Sequence, residues 1–306
     1  MGKLDVIGLG QVCIDYLGFI DRLPSVEERV ELENLTVLRG GPTATALELL
    51  SRFGLNTAII GKVGDDDEGA LAMRDLKKHN IDTAFLVAEQ GKRTQISLIP
   101  IERGTGRRTV LWSRGTITPV APDELPTEAI RSAAALHMDD LYIEAAIEAA
   151  RIAKRAGALV SFDAGDYTPP MKELVGNVDI FIASLDFVKR LCGDIPPRDA
   201  LVKLKEFKAP VTGITLSEMG SLTLYQGEII ETPAYEVGRV DTTGCGDVFH
   251  GAFLYAWLKD WGIERALRFA TAAAGMNACA LGAGGGMPGS VSEVEVFIEA
   301  EESKSP

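Results

Sequence analysis

Short apolar runs alternate with amphipathic helical stretches along most of this chain. That rhythm admits few folds other than a mostly parallel sheet covered by helices. LDVIGLG reads as a first buried strand, TATALELLSRFG as a helix stopped by Gly54, and TAIIGKVG as a second strand. A helix is expected between Asp66 and His79, with the acidic run from Asp65 to Glu68 at its start. AAALHM, ALVSFD, VDIFIA and PVTGITL are later strand candidates, separated by the helical stretches IEAAIEAARIAKRAG and RDALVKLKEFK. Two alanine-rich helices, GDVFHGAFLYAWLKD and ERALRFATAAAGMNACAL, follow Gly244. With 306 residues, we read 1–306 as a single α/β domain.

Two segments break the rhythm. Residues 16–39 and 92–116 read as extended, alternating chain, so a small second β-sheet at the edge of the main one is expected, with ordinary antiparallel edge strands as the plainer alternative. Ile96, Leu98, Val110 and Trp112 fall at alternating positions and are expected to share one apolar face. The polar tail EAEESKSP is expected to fray.

The net charge of -13 argues against a general nucleic-acid or anionic-membrane binder, because nothing would neutralise phosphates broadly. MGKLDVIGLGQVCIDYLGFI is broken by Gln11, Asp15 and glycines, unlike a secretory signal, and no apolar run approaches the roughly 20 residues of a membrane span. Cys13, Cys192, Cys245 and Cys279 form no CxxC pair and read as free thiols. The expectation is a cytoplasmic protein.

Asp241-Thr242-Thr243-Gly244-Cys245-Gly246-Asp247 carries the most chemistry. Small residues at 244–246 let backbone approach a ligand, and the helix that follows offers unpaired amides and a partial positive charge to a phosphate. A carboxylate in that first turn stands where a base can take a proton from an attacking hydroxyl. A tight turn capped by Asp247 is the plainer reading, and the turn alone leaves both open. Gly8-Leu9-Gly10 does not extend to a dinucleotide fingerprint, since the third glycine would fall on Cys13 and extended chain follows. No GxxxxGK[ST] occurs.

The whole 241–247 string resembles the C-terminal signature of the PfkB, or ribokinase-like, carbohydrate kinases, with Cys245 where alanine is usual. Gly40-Gly41-Pro42-Thr43-Ala44-Thr45 is similar to the family's di-glycine motif, with Thr45 in place of asparagine, and Gly61 to Gly69 is similar to its V-G-x-D-x-x-G motif. GGPTAT and DVFHGAF also resemble the ketohexokinase and sulfofructose kinase branch. The resemblance implies a three-layer fold with a β-clasp lid that often makes a homodimer. It implies phosphorylation of a sugar-like hydroxyl by ATP with Mg²⁺, with Asp247 as base and the 244–246 amides as anion hole. Asp15, Gly40, Gly41 and Thr45 would hold the acceptor. Asp163, Ser184, Thr215, Ser217, Gly220 and Asn277 would serve the nucleotide, and Asp241 and Thr243 a monovalent cation such as K⁺. Ser184 and Phe187 replace both named residues of the family's N-x-x-E motif, leaving Asp186 as the nearby carboxylate. That loss keeps a second reading in play, a catalytically inactive homologue acting as a binding or regulatory protein. Arg29, Arg39, Trp112 and Arg114 of the lid segments form a mixture suited to an anionic sugar or to a solvent face.

Overall fold

Val6, Ile7 and Leu9 are consecutive or nearly so, yet all are buried, the mark of a strand covered on both faces. A computed structural model describes residues 3–303. In chain order it contains β1 (Val6–Leu9), β2 (Cys13–Ile20), β3 (Glu33–Gly40), α1 (Pro42–Arg52), β4 (Thr57–Gly64), α2 (Asp67–Lys78) and β5 (Ile81–Glu89). There follow β6 (Gln95–Glu102), β7 (Leu111–Ser113), α3 (Thr127–Ser132), β8 (Ala135–Met138), α4 (Ile143–Arg155), β9 (Leu159–Ala164) and α5 (Met171–Val175). Then come β10 (Ile180–Ser184), α6 (Leu185–Cys192), α7 (Pro197–Leu204), β11 (Val211–Thr215), β12 (Ser221–Tyr225) and β13 (Glu228–Thr232). The chain ends with α8 (Cys245–Leu258), α9 (Ile263–Asn277) and α10 (Val291–Glu302).

Nine strands form one sheet in the order β13-β12-β11-β10-β9-β8-β1-β4-β5. The pairs from β5 to β11 are parallel, and β12 and β13 close one edge antiparallel. Helices α3 to α7 pack one face around Phe162, Phe181 and Phe187; α1, α2, α8, α9 and α10 pack the other around Leu47, Phe253 and Phe269. This is the three-layer α/β arrangement that the apolar rhythm implies. Sequence pattern does not anticipate β5, the β12–β13 hairpin, α6 or α10. The last of these corrects the expectation of a frayed tail. Ser290 caps α10, Val294 and Ile298 anchor it in the core, and the helix runs through Glu302; residues 304–306 lie outside the described residues.

A second sheet has the order β3-β2-β6-β7. Its register splits the apolar set expected on one face. Asp15 pairs with Leu38 and Ser97, and Ser97 with Trp112; Tyr16 pairs with Val37 and Leu98, and Leu98 with Leu111. Residues paired in register share a face. Trp112 and Val110 therefore lie on the inner face with Asp15, while Leu98 and Ile96 lie on the outer one. The antiparallel turn before β7 shifts its parity by one against β6, something alternation within each strand cannot reveal. The inner face looks toward the 241–247 turn and Leu281, which packs on Leu17, Ile99 and Ile101.

Candidate active site

The 241–247 turn is built by Asp241, which is fully buried. Its Oδ1 accepts from Thr243 N at 2.9 Å and Thr243 Oγ1 at 2.8 Å, and its Oδ2 from Gly282 N at 2.8 Å. Gly244 then takes φ 78, and a Cβ there would collide with Ala283, so only glycine allows the close approach. From this left-handed residue α8 begins, with Asp247 in its first turn.

One helical turn on, His250 points into the molecule and its Nε2 lies 3.1 Å from Asp163 Oδ1. Burial alone would push the Asp163 carboxyl up; the attraction and hydrogen bond of His250 outweigh it and hold the group low. Asp247 behaves in the opposite way. Burial pushes it up to about 7, the charge of Asp163 adds to the rise, and His250 and Arg108 oppose it. His137, behind this pair, is held down to about 3 by burial and by His250, and its Nδ1 lies 3.2 Å from Ser161 Oγ. Burial and the neighbouring Asp139 push Asp140 up to about 7 as well. The arrangement offers a carboxylate poised near neutrality at a helix N-terminus, which suits a general base beside a phosphate.

Opposite this floor, Asp15 is buried on β2 and raised by that burial, against the pull of Ser97, Cys13 and Arg39. Gly40 lies beside it, and a Cβ at Gly40 would strike the Asp15 carboxylate. Gly41 opens α1, whose Thr43 Oγ1 donates to Asp139 Oδ2 at 2.8 Å. Thr45 is buried in the same first turn with its Oγ1 unpartnered. A cavity of 890 Å³ is bordered by Ser217, Gly220, Arg239, Cys245, Gly246 and Arg108.

Asp163 and three other residues assigned to the nucleotide do not line that cavity. Ser184 caps α6, accepting from Phe187 N at 3.0 Å and donating to Gly165 O at 2.8 Å. Thr215 Oγ1 reaches Ala183 O at 3.5 Å, at the end of β11. Asn277 is fully buried and donates to Thr243 O at 2.9 Å, so it braces the turn from behind. Arg108 and Asp140 were not singled out from sequence. Arg108 comes from the stretch before β7, and its Nη1 donates to Thr242 Oγ1 at 2.6 Å. Asp139 and Asp140 follow a parallel strand at its C-terminal end, where open α/β sheets place their ligands, and that signal was readable. Glu48, Asp75 and His79 also converge, but Arg39 and Arg52 already occupy the carboxylate of Glu48, making this a charge network and not a metal centre.

The fold and this site define a small-molecule phosphotransferase of the ribokinase type: a three-layer α/β core, a small second sheet over it, and a glycine turn opening a helix. The family described as pfkB family carbohydrate kinase matches residues 3–289, and the chain belongs to it. The chain is 28% identical to the ATP-dependent ribose-1-phosphate kinase of Halopiger xanaduensis, over 89% of this chain and 91% of that protein. It is 25% identical to a nucleoside kinase of Methanothermobacter thermautotrophicus, over 88% of each. The structure of Arabidopsis thaliana ribokinase complexed with ribose and ATP is similar with a TM-score of 0.83 at 24% identity, covering 97% of this chain and 99% of that one. Among the described residues no helix is long and apolar enough to cross a membrane.

Proposed function

We propose that the chain transfers the γ-phosphoryl group of ATP to a hydroxyl of a sugar or sugar-like acceptor in the cytosol. The observation that carries this reading is Asp247, half-buried in the first turn of α8 and raised to about 7 beside the Gly244 turn. Asp247 takes the proton of the attacking hydroxyl, and the amides of Gly244, Cys245 and Gly246 stabilise the charge that develops. Asp15, with Gly40 and Gly41 beside it, holds the acceptor hydroxyls; Ser217 and Gly220 border the nucleotide. Arg108, bonded to Thr242 between the two ligands, faces the transferring group.

Asp140 and Asp163 present the hard oxygen donors that Mg²⁺ takes and would hold it with the phosphates of ATP. Bound there, the ion neutralises phosphate charge. This replaces the missing N-x-x-E pair, whose position is spent on capping α6. For K⁺, the unpartnered buried Oδ1 of Asn277 stands beside Thr243 and Asp241. The GGPTAT and DVFHGAF strings support a place in the ketohexokinase-like branch. The four-stranded sheet acts as the lid and, through its outer face, joins two chains.

The test is acceptor-dependent ADP release over a panel of sugars, sugar phosphates, sulfo-sugars and nucleosides. Turnover that disappears in Asp247→Asn supports the assignment. Silence of the wild-type protein across the panel, with Mg²⁺ and K⁺ present, favours the inactive homologue.

A further inference from the structure

We propose that the acceptor carries an anionic group at the end away from its reacting hydroxyl, and that Arg114, laid on Trp112, recognises it. The inference rests on the kinase reading above and narrows the acceptor class.

The β6–β7 ladder keeps one register. It runs from Ile101 opposite Arg108, through the Leu98–Leu111 and Ser97–Trp112 pairs, to the Thr116 N to Arg93 O hydrogen bond of 3.0 Å. Alternation along it places Arg108, Trp112 and Arg114 on the face that bears Asp15. Their order is chemically telling. Arg108 stands at one end, bonded to Thr242 of the phosphate turn. The row of Asp15 and Trp112 stands in the middle, and Arg114 lies beyond it. Arg114 stands two positions along from Trp112, about 7 Å of strand, which is close to the width of a sugar ring.

Neither arginine is spent on a carboxylate. Arg39, Arg52, Arg103 and Arg190 each meet one, whereas among the described residues Arg108 and Arg114 form no ion pair, a freedom they share with Arg29, Arg74, Arg93, Arg107 and Arg155. The opposing floor is rich in carboxylates, and the field of Arg114 reaches Tyr142 at the start of α4, next to Asp139 and Asp140. The Arg114 guanidinium carbon lies 5.0 Å from the centroid of the Trp112 ring. Stacking uses the flat face of a guanidinium and leaves its edge donors free, the geometry that takes a phosphate, sulfonate or carboxylate in two parallel hydrogen bonds. Of the other lid cations noted in the sequence, Arg39 is buried against Glu48 and Asp75, and Arg29 lies in the loop between β2 and β3, off this face.

Matched pairs test the proposal: ribose 1-phosphate against ribose, fructose 6-phosphate against fructose, and gluconate against glucose. ADP release is measured for wild type, Arg114→Gln and, as a control, Arg29→Gln. In at least one pair the anionic member should have a kcat/KM at least about 100-fold above its neutral partner. Arg114→Gln should cut that ratio about 10- to 100-fold, the worth of a charge-assisted hydrogen bond, through the KM for the acceptor and not that for ATP. Arg29→Gln should leave the ratio as it is. A wild-type ratio near one in every pair overturns the proposal, as does a ratio that Arg114→Gln does not move, or no turnover in any pair. Asp247→Asn separates the two levels. Retained turnover in that variant defeats the kinase mechanism itself, whereas its silence beside an unmoved ratio defeats only the anion assignment.

Discussion

The floor of the site stands on the main core, while the sheet above it has a buried cluster of its own made of only Leu17, Ile99 and Ile101. Asp247 sits on a helix whose Val248 and Phe253 are fully buried, and Asp163 on a strand flanked by two others. The sheet above exposes Val37, Leu98, Leu111 and Trp112. The comparison teaches where each kind of work is placed. Asp247 and Asp163 stand on elements of the main core, whose packing fixes their positions beside one another. The thinner element has few buried contacts to oppose movement.

The sharpest way to break this contrast is at the base. Asp247→Ala should lower kcat by about 10²- to 10⁴-fold. It should not cost stability. A carboxyl whose folded pKa lies near 7, above its unfolded value, favours the folded state fully only below the unfolded pKa, and that contribution is lost as pH rises through about 7. At pH 8 the variant should therefore melt at or above the wild-type temperature. Calorimetry showing a clear loss would mean that the charged group is well solvated or paired. The wild-type kcat/KM should likewise fall about tenfold per pH unit below about 7, as the base takes up its proton.

Next in size is the joint between floor and sheet. The buried carboxylate of Glu48 on α1 holds Arg39, the residue before the di-glycine pair, together with Arg52 and, at 3.3 Å, His79. Removing one partner from a buried network leaves the others uncompensated, and Glu48→Ala should cost about 3–5 kcal/mol in urea unfolding. Because Arg39 ends β3 beside Gly40, the acceptor KM should rise as well. A variant with wild-type stability would show that the network is solvated and leaves the two regions mechanically independent.

Much of the floor was legible in the sequence, and little of the sheet above it. Buried parallel strands write themselves as apolar runs, and a glycine turn opening a helix is a local pattern, so β1, β4, β8 to β11 and α8 could be read directly. Trp112 could not be placed, because its face depends on the turn that pairs β7 with β6. Arg108 was missed for the same reason: nothing local separates it from Arg107 until the register is known. Ser184 carries two signals at one position. Its family position pointed to the nucleotide, while its local chemistry, a serine before a short helix, pointed to the capping role it has here.

A smaller effect tests whether the sheet reaches the floor. Arg108 is the side chain, from the stretch before β7, bonded to the 241–247 turn at Thr242. Arg108→Gln should lower kcat about 10- to 100-fold, the worth of one charge-assisted hydrogen bond, with little change in melting temperature. Unchanged kcat would place Arg108 outside the reacting centre.

The smallest effect on the protomer concerns the outer face. Val37, Tyr16, Leu98 and Leu111 form one row across four strands, and Val37, Leu98 and Leu111 are 40%, 48% and 57% exposed. An apolar row on a small sheet is a surface that proteins usually cover, and a second copy of the same sheet is the proposed cover. Leu111→Lys adds a charge to an exposed position, so the stability of one chain should move by no more than about 0.5 kcal/mol. Light scattering at micromolar concentration should nonetheless report two chains for wild type and one for the variant, since a two-fold contact would set two added lysines against one another. If wild type scatters as a single chain, the outer row is a solvent face and the lid works within one molecule. If both scatter as dimers, the contact lies elsewhere. In either case the inner face, with Asp15, Trp112 and Arg114, is untouched by the change, so the KM for the acceptor separates lid function from assembly.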